Sequence, residues 1–227
     1  MTSSAFDSLF ARAPIMAILR GMGVERSLRL ADRAWDLGID SVELPLQTSE
    51  DERALRAVAE RARVRGKSVG AGTIVSPAQI PIARGAGATY FVSPGFDPAI
   101  VAAAQEAGVP ILPGVATASE VQRAAASGLT WLKAFPAQSL GASWFGHMRG
   151  PFPDVRFVAT GGMDAHNAGD FLTAGASVIA VGSALEDERQ LTLLADLVVA
   201  LGRHPSSLDR DEKLKYSHTT FYGGAVR

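Results

Sequence analysis

Trp131-Leu132-Lys133-Ala134-Phe135-Pro136 is an apolar run with a lysine in its middle. A short apolar run closed by a proline reads as a buried strand, and an ammonium inside it needs a reason to be there. The chain has four lysines, and Lys67, Lys213 and Lys215 stand in polar or charged sequence whereas Lys133 does not. Desolvation disfavours a charged ammonium, so a lysine on a packed strand can present a free amine that attacks a ketone to form a Schiff base. The same side chain could instead carry its head past the strand end to solvent, or pair with a carboxylate. The stretch by itself leaves these readings open.

Working outward, similar apolar runs recur at Pro14 to Arg20, Ile39 to Leu46, Ser68 to Thr73, Tyr90 to Ser93, Pro110 to Pro113, Arg156 to Thr160 and Ser177 to Gly182. With the lysine-bearing run they make eight. Between them lie amphipathic stretches, with Val24, Leu28, Ala31 and Trp35 on one helical face and Leu55, Val58 and Ala62 on another. Ser49 with Glu52, Ser76 with Gln79, and Thr117 with Glu120 fit capping boxes, and Pro77 and Pro98 fit first helical positions. Gly38, Gly66, Gly87, Gly108, Gly128 and Gly175 are placed to end the helices. Eight compact βα units in 227 residues predict a single (β/α)8 TIM barrel. The first βα turn, Arg20-Gly21-Met22-Gly23, lacks the dinucleotide fingerprint of a doubly wound sheet. A short helix within Thr2 to Arg12 precedes the barrel, which is expected over residues 1–203. Residues 204–227 read as a C-terminal extension.

A net charge of −1 gives no long-range attraction toward nucleic acid or an anionic membrane, so neither is an expected partner. The chain has no cysteine, which removes disulfides and thiolate chemistry, and its four histidines are scattered without zinc-site spacing. No metal and no cofactor are expected. Neither a signal-peptide pattern nor a membrane-length apolar run is found, so the expectation is a soluble, cytoplasmic protein.

Barrel enzymes gather their chemistry at the C-terminal ends of the strands, and side chains alternate between interior and helix-facing sides. Arg20, Glu43, Thr73, Lys133 and Thr160 all stand late in their runs. Alternation predicts an inward set of Ile18 and Arg20, Ser41 and Glu43, Ala71 and Thr73, Trp131 with Lys133 and Phe135, and Val158 with Thr160. Glu43 then faces Lys133, either as a buried ion pair or as part of a reacting site. The last two strands end in Thr160-Gly161-Gly162 and Val181-Gly182-Ser183, at the loops that form the recurring phosphate site of such barrels. Phe135 would wall the amine with apolar surface.

Val42 to Leu46, Gly70-Ala71-Gly72-Thr73, Val92 to Gly95, Leu112 to Thr117, Leu132 to Ala137, Gly150 to Pro153 and Thr160 to Gly162 together resemble the 2-keto-3-deoxy-6-phosphogluconate and 6-phosphogalactonate aldolases. The resemblance runs from about Pro14 to Leu185. It implies a metal-free Schiff-base (class I) aldolase, a homotrimer, that cleaves a phosphorylated keto-deoxy sugar acid into pyruvate and D-glyceraldehyde 3-phosphate. It further implies Lys133 as the imine-forming lysine and Glu43 as the general acid/base. Arg20 and Thr73 would hold the pyruvyl end, with Gly161, Gly162, Gly182 and Ser183 on the phosphate. Gln47 stands where the phosphogluconate type commonly has arginine, and together with Ile18 to Gly21 and Glu43 to Leu46 it resembles the phosphogalactonate type. Two competing readings keep the barrel: a non-catalytic sensor of a phosphorylated ligand, and a phosphosugar isomerase or decarboxylase.

Overall fold

The computed structural model describes residues 2–202. The expected C-terminal extension, with Lys213 and Lys215, lies outside the described residues. Nine parallel strands form one sheet: β1 (Ile15–Ile18), β2 (Ser41–Pro45), β3 (Ser68–Gly72), β4 (Tyr90–Val92), β5 (Ile111–Leu112), β6 (Gly114–Val115), β7 (Trp131–Ala134), β8 (Arg156–Thr160) and β9 (Val178–Val181). Their order is β5-β4-β3-β2-β1-β9-β8-β7-β6. The two edges, β5 and β6, are joined through Pro113, so the covalent chain closes the barrel; β5 lies in the expected fifth run, Pro110 to Pro113, and β6 extends past its end. Proline has no N–H to give a ladder and divides the strand there. Its carbonyl still accepts from the Lys133 N–H at 2.9 Å, and the chain passes from pairing with β4 to pairing with β7.

Helices α1 (Thr2–Leu9), α2 (Gly23–Asp36), α3 (Ser49–Arg65), α4 (Gln79–Gly85), α5 (Pro98–Glu106), α6 (Ala118–Ala126), α7 (Ala137–Leu140), α8 (Ser143–Arg149), α9 (Ala168–Ala174) and α10 (Glu188–Gly202) complete the fold, with a 3-10 turn at Ser183–Glu186. Among the described residues, no helix is long and apolar enough to cross a membrane. The outward strand residues, such as Val42, Leu44, Leu132, Ala134, Phe157 and Ile179, share a core with the helix faces. Helix α3 shows the local logic: Ala54, Leu55, Val58 and Ala62 are buried, while glutamates and arginines take the solvent side. Its cap differs from expectation. Thr48 and Asp51 form the capping box, one position earlier than Ser49 with Glu52, and Glu52 instead binds Arg56 one turn on. Thr117 with Glu120 caps α6 and Pro98 opens α5 as expected, with Asp97 accepting from the Ala99 N–H as the cap of α5.

A second, smaller core fills the barrel itself: Met16, Tyr90, Val92, Leu112, Trp131, Val158, Val178 and Ala180, closed from below by Phe6 of α1 and by Phe10 just after it. This plug is fixed by directional contacts. Phe6 meets Tyr90 edge-on, Phe10 packs on Trp131, and Asp7 accepts from Trp131 Nε1 at 2.9 Å and from Arg156. The N-terminal end of the barrel is therefore a packed floor, and the open end is the one at the strand C-termini.

Candidate active site

Lys133 follows Trp131 by two residues on β7, so its side chain enters the interior one layer above the floor. Glu43 does the same on β2, four strands away around the ring and thus on the opposite wall. Both are buried, at 5% and 1% exposure. No ion pair joins them, and Lys133 Nζ has no hydrogen-bond partner among the described residues. Its amine lies over Phe135, with the ring centroid 5.2 Å from Nζ. Both Glu43 carboxylate oxygens are buried without a hydrogen-bond partner. An unsatisfied buried carboxylate is costly and calls for an explanation; the ordinary one, a structural ion pair with Lys133, is not formed.

Arg20 lies just past β1, where the Leu19 N–H binds the Glu43 carbonyl at 2.9 Å. Its guanidinium donates to Gln47 Oε1 at 2.8 Å and to Thr73 Oγ1 at 3.2 Å. The three residues, which follow β1, β2 and β3, form one clamp on the rim. A cavity of about 410 Å³ beside it is lined by Arg20, Gln47, Thr48, Glu50 and Asp51; its carboxylates make its outer part a poor host for an anion.

Strand alternation placed Ala71 inward, and that expectation fails. Ala71 belongs to the outer core, and Gly70 and Gly72 face the interior. The register explains the error: Glu43 pairs with Gly70, Leu44 with Ala71 and Pro45 with Gly72, and paired residues share a face. Thr73 reaches the rim by another route. Its backbone is left-handed, φ 58°, which is strained for a β-branched residue and redirects the side chain toward Arg20.

Thr160 is buried at the end of β8. Gly161 and Gly162 follow with φ 99° and 75°, conformations that suit glycine. The turn is held from both sides, because the Gly161 carbonyl accepts from the Gln138 N–H at 3.0 Å and the Gly162 carbonyl from Asn167 Nδ2 at 2.8 Å. A Cβ on Gly161 would lie 3.2 Å from the Phe135 ring, and one on Gly162 would lie 2.7 Å from Gln138 Cβ. The Gly161–Gly162 turn and the aromatic wall of Lys133 are thus contiguous. Gly182 follows β9 and leads into the 3-10 turn; the Ser183 side chain lies outside the described residues.

Three residues of the site escaped the sequence reading: Tyr90, Gly70 and Gly72. Tyr90 Oη donates to the Val42 carbonyl at 2.7 Å from inside the barrel. Burial, and then the charge of nearby Glu43, holds its phenol well above the ordinary tyrosine range, so it stays a neutral donor. An aromatic residue starting a strand gives no signal of this, and glycines carry no hydropathy to mark their face.

A buried lysine and a buried glutamate on opposite walls, with an arginine clamp at the strand C-termini, define the class as a parallel (β/α)8 barrel with ionisable groups in its interior. Comparison with known proteins agrees. Residues 6–195 match the family described as KDPG and KHG aldolase. The chain is 35% identical over 182 residues to a 2-dehydro-3-deoxy-phosphogluconate aldolase of Pseudomonas aeruginosa, covering 79% of this chain and 81% of that one. It is 33% identical over 173 residues to a probable 2-dehydro-3-deoxy-6-phosphogalactonate aldolase of Rhizobium meliloti, covering 76% and 81%. A crystal structure of the KDPG aldolase of Legionella pneumophila, with pyruvate captured as a covalent carbinolamine, superposes with TM-score 0.73 at 28% identity over 88% of this chain and 97% of that one. The chain belongs to the KDPG and KHG aldolase family. Its chemistry is that of a class I aldolase, a carbon–carbon lyase.

Proposed function

We propose that Lys133 forms the Schiff base and that the substrate is 2-dehydro-3-deoxy-6-phosphogalactonate, cleaved to pyruvate and D-glyceraldehyde 3-phosphate. The observation that carries this reading is the buried Lys133 side chain, its amine over the Phe135 ring, opposite a buried Glu43 carboxylate whose two oxygens have no hydrogen-bond partner. In the proposed reaction the amine adds to the C2 ketone, and the carbinolamine loses water to give an iminium. A base takes the C4 hydroxyl proton, the C3–C4 bond breaks, and its electron pair flows into the iminium to leave an enamine and the aldehyde. Protonation at C3 and hydrolysis by water then release pyruvate and the free amine.

In this reading Glu43 moves the proton, directly or through a water. Arg20 and Thr73 hold the pyruvyl carboxylate, for which one guanidinium suffices when its plane is fixed. Gln47 fixes it by accepting the 2.8 Å bond. Gly161, Gly162, Gly182 and Ser183 receive the phosphate, Thr160 and Phe135 line the path to it, and the assembled enzyme is a cytoplasmic homotrimer.

Incubation with pyruvate and borohydride, followed by mass measurement and peptide mapping, should place one reduced adduct on Lys133. An adduct elsewhere, or none on active protein, rejects the reading. Glu43→Gln should still trap pyruvate while slowing exchange of its methyl protons with solvent by about 10² to 10⁴.

The phosphogluconate epimer is the second reading, favoured by the likeness to the Pseudomonas aeruginosa relative. The epimers differ only at the C4 hydroxyl, so the preference is expected as a ratio of kcat/KM. A ratio favouring the gluconate epimer would reverse the substrate assignment and leave Lys133 in its role.

A further inference from the structure

Gly72 faces the barrel interior on β3, and it borders the Glu43 carboxylate. A Cβ built on it would lie 2.8 Å from Glu43 Cγ, 2.5 Å from its Cδ and closer still to Oε1. Two residues earlier, a Cβ on Gly70 would lie 2.5 Å from Tyr90 Cδ2 and closer still to its ring carbons Cζ and Cε2. Neither glycine has a left-handed backbone, so conformational freedom does not explain them. What each supplies is empty volume on the inner wall. The Gly70 slot admits the Tyr90 ring, whose hydroxyl is anchored on the Val42 carbonyl one residue before Glu43. The Gly72 slot admits the Glu43 carboxylate.

Glu43 has no hydrogen bond to hold either oxygen, so the shape of this wall is what orients it. We propose that Gly72 is the positioning residue for Glu43: the missing side chain at 72 seats the carboxylate against β3, at the height of the Lys133 amine. This inference rests on the acid/base reading of Glu43. The Tyr90 ring is the lower boundary of the same recess, with Phe6 of α1 packed edge-on behind it. Adding one methyl at 72 would push the carboxylate toward the barrel axis by about 1 Å, a misplacement of the size that reduces a proton-transfer step by about 10².

The test measures methyl-proton exchange of pyruvate and borohydride trapping in Gly72→Ala, Glu43→Gln and their combination. Gly72→Ala should lower exchange and kcat by about 10²-fold, with trapping at Lys133 and KM within about threefold of wild type. In the Glu43→Gln background the same change should lower exchange no further, because the group it displaces is already inert. Exchange within about threefold of wild type in Gly72→Ala, or losses that multiply in the combined variant, would overturn the proposal while leaving Glu43 as the base. Unchanged exchange in Glu43→Gln alone would instead remove the reading beneath it. If Gly72→Ala does not fold, Glu43→Asp decides, since it inserts nothing and withdraws the carboxylate from the slot: a 10-fold or larger loss of exchange with trapping retained supports the proposal, and exchange near wild type overturns it.

Discussion

The two ends of the barrel treat their polar groups in opposite ways. At the N-terminal end Lys67 is bound to Asp40 at 2.5 Å and Arg12 approaches the same carboxylate at 3.5 Å. There Asp7 also takes both the Trp131 indole and Arg156. One layer above that floor, Lys133 and Glu43 are more deeply buried and have no hydrogen bond between them or to any other described group. Both ends use the same residue types, so composition does not separate them. What separates them is that the floor groups are satisfied by protein partners, as buried polar groups usually are, and the upper pair is not hydrogen-bonded to any described group. The floor is where the fold is held; the layer above is where it is left open.

Removing the upper lysine gives the largest expected effect. Lys133→Met should abolish turnover and borohydride trapping, and because it puts apolar volume in place of a buried lysine that makes no hydrogen bond it should also raise stability, by about 1 kcal/mol. Activity and denaturant midpoint, measured on the same samples, would move in opposite directions. A variant that loses both would make Lys133 a structural residue and erase the contrast between the two ends.

Thr73 tests the contrast on the rim. Its left-handed backbone costs about 1 to 3 kcal/mol in a β-branched residue, whereas glycine there would forgo about 0.5 to 1 kcal/mol through the entropy of the unfolded chain. Thr73→Gly should therefore stabilise by about 1 kcal/mol. It should also lower kcat/KM about 10-fold, because Arg20 loses one of the two acceptors that fix its plane. Loss of stability in this variant would show that the rim, like the floor, is built for holding.

At the floor the signs reverse. Asp7→Ala leaves the Trp131 Nε1 and Arg156 without their shared acceptor and should destabilise by about 1 to 3 kcal/mol. Below its melting temperature the variant should keep kcat within about twofold of wild type. A large fall in kcat with unchanged stability would mean that the α1 plug acts on the chemistry above it.

How much of this was legible in the sequence follows from the same physics. Lys133 stood out because an ammonium in an apolar run violates the hydropathy pattern, and Glu43 did so because alternation in a valine- and leucine-rich run fixes its face. The barrel was legible from eight runs at βα spacing, although the division of the fifth strand at Pro113 was not anticipated. Strand β3 was misread, since Gly70-Ala71-Gly72 offers no side chain large enough to declare which face is buried; only pairing with β2 decides it. Thr73 was placed on the rim for the wrong reason, because its position depends on a backbone conformation that threonine rarely adopts. The plug contacts of Asp7 join residues 124 and 149 positions apart, beyond any local pattern.

The smallest expected effect concerns a polar group on the rim side but outside the barrel. Glu120 accepts from the Ala116 and Thr117 N–H groups at 2.9 Å each and from Thr117 Oγ1, completing the capping box of α6. These bonds, the Ala116 N–H foremost, hold its carboxyl below the ordinary glutamate range. A carboxylate depressed in the folded state stabilises the fold above its unfolded pKa, about 4.3, and that contribution is lost as pH falls through the lower folded value. Glu120→Gln keeps an acceptor but not the charge at the helix N-terminus. It should therefore cost about 0.3 to 1 kcal/mol at pH 7, and the gap to wild type should be smaller in denaturation at pH 3, below the unfolded pKa, where that linked contribution is being lost. A gap that is the same at both pH values would mean that the cap acts through shape alone. A narrowing gap would place Glu120 with Asp40 and Asp7 among the satisfied carboxylates, leaving the unsatisfied state to Glu43 in the barrel interior.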